Sequence, residues 1–285
     1  MKHLLLSAVL LAPLPLVAGP ALAAPSTAPF VQDEEAEEFP DKRPEVANLI
    51  DQLEEHLKAR GDEDDEAMGV IDELTIEYEQ SGPKDREDIA EIVGECLTVK
   101  RKELAEDVPD QKLQAHAARA MGALGKEGGE ELLKLVEHKA LEGKIKAQRE
   151  AILSLGRTQH EKGVKVLVGL LDNAVYEVEG AAAQALGSYK DADEKVRKDI
   201  VKALLKKIVP LADRIEDEGD YSGGAGGYGG GGNQENEEIQ KEYQALAAGT
   251  MSALRALTGH SEEDFRAWEA WWNDNKRKKW DEEED

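Results

Sequence analysis

The chain has very little of what covalent and redox chemistry usually needs: among 285 residues it carries one cysteine, Cys96. A lone thiol excludes an internal disulfide and a cysteine-based metal site. Aromatic residues are only 5% of the chain, and long runs of β-branched and aromatic residues are missing, so strands are not expected. Ala, Leu, Glu and Lys dominate instead, which is the composition of helices. Basic residues are also short, 36 Lys and Arg against 61 Asp and Glu, for a formal charge of -25. Nucleic-acid binding needs a clustered basic excess, so no nucleic-acid partner is expected. With 34% charged residues the chain is too polar to be embedded in a membrane.

One long apolar run stands at the start. Lys2 precedes residues 4–17, and Ala21-Leu22-Ala23 then supplies the small residues of a cleavage site. Residues 1–23 therefore read as a secretory signal peptide, and the protein as exported, periplasmic or extracellular, with no integral membrane span after cleavage. Pro13, Pro15 and Pro20 interrupt the run and weaken the alternative of an uncleaved anchor. Residues 24–43 hold Asp33, Glu34, Glu35, Glu37 and Glu38 with little to bury, and are expected to be a disordered acidic linker.

From residue 44 the apolar positions recur at helical spacing. Val46, Leu49, Ile50, Leu53 and Leu57 mark one helix, Met68, Ile71, Leu74 and Tyr78 a second, and Ile89, Ile92, Val93, Cys96 and Leu97 a third. Residues 44–107 are read as N-terminal helices that form a cap or degenerate repeats. Cys96 lies in phase with its apolar neighbours, so its expected role is packing.

Beyond residue 108 a period is visible. Leu124-Gly125, Leu155-Gly156 and Leu186-Gly187 follow one another at intervals of 31 residues, and Ala120, Ala151 and Ala182 stand four positions before each Leu. Small residues suit a close helix–helix approach, and each Gly is expected to end its helix in a left-handed cap. Between these helices lie second ones, carrying Leu132, Leu133, Leu135 and Val136, then Val164, Val166, Leu167, Leu170 and Leu171, then Val196, Ile200, Val201, Leu204 and Leu205. A single pair of short helices cannot bury both apolar faces, whereas stacked pairs share a continuous core. The expected fold is all-α, an α-solenoid of helix pairs over residues 108–211. The same interval carried backwards lands on Val93-Gly94, which suggests that the N-terminal helices continue the array.

The stretch from Leu171 to Gly187, Leu-Asp-x5-Val-x-x-Ala-Ala-x-x-Ala-Leu-Gly, resembles the short HEAT-like repeat of phycobilisome-lyase-type proteins. Glu179 departs from that pattern, since the repeat usually has Arg there. The resemblance implies a helical superhelix and leaves the partner open.

Residues 212–237 combine acidic residues with eight glycines between Ser222 and Gly232, and are expected to form a flexible loop. Residues 238–285 resume the repeat with Ala253 and Leu257, then give a helix bearing Phe265, Trp268, Trp271 and Trp272, and an acidic tail. Ser261 is the expected N-cap of that helix, with Asp264 completing a capping box. The ending resembles that of exported bacterial HEAT-repeat proteins. The aromatic group is expected to close the end of the array, with a ligand-binding patch as the alternative.

Sequence motifs for chemistry are missing. No P-loop accompanies the glycines, the histidines form no HExxH pair, and paired carboxylates carry no information among 61 of them. No catalytic residue, cofactor or metal is expected. The expected function is that of a non-catalytic exported scaffold holding a protein or peptide partner. Lys195, Lys198, Lys202 and Lys206 are the candidate contacts on the second helix of the third pair, unless the chain's own acidic helices and tail neutralise them. A structural spacer in the cell envelope is one alternative; a lyase-type enzyme related to phycobilin lyases is another, but a shared fold does not transmit activity. The oligomeric state is not legible in the sequence.

Overall fold

The computed structural model describes residues 39–100, 111–221 and 232–281. The expected signal peptide and almost all of the acidic linker lie outside the described residues. Among those described, the regular structure is entirely helical, in eleven α-helices.

The helices are α1 (Pro44–Lys58), α2 (Asp64–Tyr78), α3 (Pro83–Thr98), α4 (Lys112–Met121), α5 (Gly125–Leu135), α6 (Ile145–Thr158), α7 (Gly163–Leu170), α8 (Tyr176–Leu186), α9 (Glu194–Tyr221), α10 (Gly232–Thr258) and α11 (Phe265–Asn275). They alternate between two layers. One layer stacks α2, α4, α6, α8 and α10 in order, and the other stacks α1, α3, α5, α7, α9 and α11. Helices α1 to α10 also pack on a chain neighbour in the opposite layer, as α1 does on α2 and α6 on α7. The result is the α-solenoid expected from the 31-residue period. Its core runs the length of the stack, from Leu53, Ile71 and Ile89 through Leu124, Ile152 and Leu186 to Leu254 and Trp268, all fully buried. Fully burying a side chain of this size stabilises by roughly 1.5–3 kcal/mol, so the stack needs no covalent cross-link.

The Leu-Gly pairs serve a different purpose from the one expected. Only Gly125, with φ of 51°, is left-handed. Gly187 keeps a helical φ of -64°, and α6 runs past Gly156 to end at a left-handed Gln159. What these glycines provide is space. A Cβ on Gly156 would stand 2.6 Å from the Ala185 carbonyl oxygen, and one on Gly187 would stand 3.0 Å from the Ala253 Cα. Glycine and alanine thus set the approach of α6 to α8 and of α8 to α10. Ala151 and Ala182 are fully buried in these contacts, whereas Ala120, at the end of the shorter α4, is only partly covered.

The N-terminal helices continue the two layers, but not in the register of Val93-Gly94. Gly94 belongs to α3, which lies in the layer of α5, so the partner stacked before α4 is α2. The expected loop at 212–237 is also narrower. α9 continues through Pro210 because Leu211, Ala212 and Ile215 still face the core, while Asp213 and Glu216 pair with Arg266 of α11. α10 resumes at Gly232 and leaves 222–231 outside the described residues.

Candidate partner-binding groove

The layer containing the odd-numbered helices is less tightly closed than the other, and grooves run between its members. One, of about 550 Å³, lies between α7 and α9, with Glu242 of α10 at its edge. Val168 and Leu171 from α7 and its end, and Ala203, Pro210 and Leu211 from α9, give it an apolar floor. Lys202, Lys206 and Arg214 stand along the α9 wall, with the exposed carboxylate of Asp199 at its start and that of Asp172 at the end of α7. The spacing of the cations, four and eight residues, places them on one helical stripe, which is why one wall carries all three. All three cations are exposed, and none has an ion-pair partner among the described residues.

The four lysines singled out from sequence therefore divide. Lys202 and Lys206 line the groove together. Lys198 is engaged near the start of α9, where its ammonium donates to Glu194 and to the Lys278 carbonyl oxygen and lies 5.1 Å from the Trp280 ring centroid. Those donors, Lys198 first and the Trp280 amide second, hold the Glu194 carboxyl below the usual carboxylate range. Lys195 is exposed at the same end and does not line the groove. Arg214 joins Lys202 and Lys206 from within residues 212–237, which the sequence assigns to a loop and not to a helix wall.

Lys207 is set apart beneath the groove's rim. Its Nζ lies 2.8 Å from Glu179 Oε1, 2.8 Å from Glu242 Oε1 and 3.6 Å from Asp172 Oδ1. Glu179 is only 2% exposed, and its second oxygen, Oε2, has no hydrogen-bond partner. Burial pushes the Glu179 carboxyl upward, against the pull of Lys207, because Glu242 and Asp172 share that ammonium. Burial works to lower the Lys207 ammonium, but Glu179 and Glu242 together outweigh it and hold it above the usual lysine range. The glutamate that departs from the repeat pattern is thus half of a buried ion pair tying α8 to α9.

The aromatic residues meet at the end of the stack. Trp268 is fully buried and donates its Nε1–H to the Met251 sulfur at 3.1 Å, and Phe265 is buried against Tyr243. Trp271 stacks on His260 at 5.0 Å, and both Trp271 and Trp272 contact Trp280. Asp264 alone caps α11, accepting from the Ala267 amide at 2.8 Å; the helix begins three residues later than a Ser261 cap would require. The five described histidines are each held in local contacts, His56 by Glu63, His116 by Asp72 and His260 by Glu262, while His138 and His160 accept from nearby backbone amides. Cys96 is fully buried on α3. Among the described residues no cluster of three His, Cys, Asp or Glu is placed to hold a metal ion, and no helix is long and apolar enough to cross a membrane.

A family model of HEAT repeats matches residues 100–187 and 139–211. The chain carries HEAT-like repeats. Such repeats are helical scaffolds for protein interaction. Comparison with curated proteins and with solved structures returns no match. The matched residues reach into α9, and the HEAT-like stacking continues beyond them, since α10 packs on α8 through Gly180, Gly187 and Gly249.

Proposed function

We propose that this HEAT-like array is a non-catalytic scaffold whose α7–α9 groove holds an acidic segment of a partner protein. The observation that carries this reading is the set of three unpaired cations, Lys202, Lys206 and Arg214, along one wall above an apolar floor, in a chain whose overall charge is -25. A strongly acidic protein has many neutralising groups available, so unpaired cations gathered at a groove mark a surface kept for something else. An acidic segment with one or two apolar residues would place its carboxylates on the lysines and its apolar side chains against Leu171 and Leu211. Such contacts act chiefly on association rate and on the choice of partner.

The protein works outside the cytoplasm in this proposal, on the strength of the basic, apolar and small-residue pattern of residues 1–23. Affinity capture from the envelope fraction of the source cells tests the whole reading. The intact protein should retain a partner that the Lys202→Glu/Lys206→Glu/Arg214→Glu variant loses. Equal recovery by the two proteins would show that the groove is not the contact.

A further inference from the structure

A second groove in the same layer carries the opposite charge. It runs between α1 and α3 in two segments of about 470 Å³ and 510 Å³ that share Glu54 and Glu95. Val46, Ile50 and Ile92 floor the first segment, and Leu57 and Val99 the second. Asp51, Glu54, Asp88, Glu91 and Glu95 rise along the walls, all exposed and none within ion-pair distance of a cation among the described residues, while the lining cations stand at the two ends, Lys42, Arg43 and Lys84 at one and Lys58, paired with Glu55, at the other. The end near Lys42 is fixed, because the Asp85 carboxylate accepts the Lys42 and Arg43 amides at 2.8 and 2.9 Å and ties the start of α1 to α3.

We propose that this groove is a docking site for a cationic amphipathic helix of a partner protein. Charge complementarity sets the sign of the partner: between the cations at the two ends, five exposed carboxylates flank the apolar strip, so the occupant carries Lys or Arg on both sides of an apolar stripe. The walls fix its conformation. Both are α-helices whose backbone groups are already hydrogen-bonded internally, so an extended peptide would find no main-chain partners there, whereas a helix satisfies its own. The groove follows the whole of α1, whose 15 residues span roughly 22 Å at 1.5 Å per residue, and an occupant of about four turns fills it.

This inference stands apart from the α7–α9 groove and is tested separately. The probe is a labelled 15-residue Leu/Lys peptide of amphipathic helical pattern, with a scrambled peptide of the same composition as its control. Fluorescence anisotropy at physiological salt should show the patterned peptide binding at least tenfold more tightly than the scrambled one. Asp88→Asn/Glu91→Gln/Glu95→Gln should weaken that binding at least tenfold. Glu130→Gln/Glu142→Gln/Glu161→Gln, the same change of charge outside the groove, should leave it unchanged. Ile50→Ser, checked for folding by its thermal melt, should weaken the patterned peptide alone. Equal binding of both peptides, or equal loss in the two triple variants, would reduce the effect to nonspecific attraction and overturn the proposal. The carboxylates are exposed, so the first triple variant remains informative even if Ile50→Ser fails to fold.

Discussion

Gly156 lies so close to Ala185 that a methyl group on the glycine would stand 2.6 Å from the Ala185 carbonyl oxygen and 2.9 Å from its Cα. These atoms belong to backbone and cannot swing aside, so α6 and α8 must separate to admit even alanine. Gly156→Ala should therefore destabilise the fold by about 1–3 kcal/mol, the usual cost of overpacking. Gly169→Ala on α7 has nothing within 4 Å of the new methyl and should be neutral or stabilising by up to about 1 kcal/mol, as expected for glycine in a helix. Urea denaturation of the two variants separates the outcomes by sign.

The buried ion pair between Lys207 and Glu179 gives a pH-dependent prediction. Lys207→Met leaves Glu179, 2% exposed, as a buried carboxylate without its cation. Breaking one side of such a pair typically costs about 3–5 kcal/mol at neutral pH. Burial already raises the folded-state pKa of Glu179, and removing Lys207 raises it further. A raised carboxyl pKa contributes stability at low pH that is lost as pH rises through the folded value. The variant should accordingly recover part of its deficit as pH is lowered from 7 towards 5. A deficit that stays constant over that window would mean that Glu179 is not the residue left uncompensated.

On the alkaline side the relevant group is Tyr189, whose phenol is pushed up to about 12 by burial. It donates to the His160 carbonyl oxygen at 3.0 Å. Below the ordinary value of 10 both folded and unfolded states hold the proton, and this contribution is fully present. As pH rises from 10 to about 12 the unfolded state releases it first, so stability falls over that window, by on the order of 2 kcal/mol. Tyr189→Phe should be less stable at pH 7 by about 1 kcal/mol and should lack this part of the alkaline slope.

Trp268 distinguishes the two roles considered for the aromatic group. It is fully buried, and Trp268→Ala should cost about 3–5 kcal/mol, as large-to-small changes of aromatic core residues do. Trp272, which is half-buried, should cost clearly less. A Trp268→Ala protein that melts as the wild type does would remove the end-cap role.

The sequence made the fold legible because the repeat is written in side-chain size: the Ala and Leu of each unit are the residues that face the next helix. The purpose of the glycines was not legible, since Gly156 and Gly187 occur at the same offset whether they turn the chain or admit a neighbouring backbone. The layer of α3 was hidden as well, because an apolar stripe reports burial but not which neighbour covers it. Half of the candidate groove could be read. Lys202 and Lys206 stand one helical turn apart in a visible stripe, but Arg214 lies within residues 212–237, which the sequence assigns to a loop and into which α9 continues. Lys198 could not be recognised as engaged, because its contacts come from Lys278 and Trp280, some eighty residues away.

The most direct test of the account is the binding of an acidic probe peptide, two apolar residues flanked by glutamates, to the α7–α9 groove at low and at physiological salt. The wild type should bind it, and the affinity should fall as salt rises. Lys202→Gln/Lys206→Gln/Arg214→Gln should weaken binding at least tenfold, while Lys195→Gln, outside the groove, should not. Binding that is unchanged when the three groove cations are neutralised would contradict the claim that this groove is the working surface.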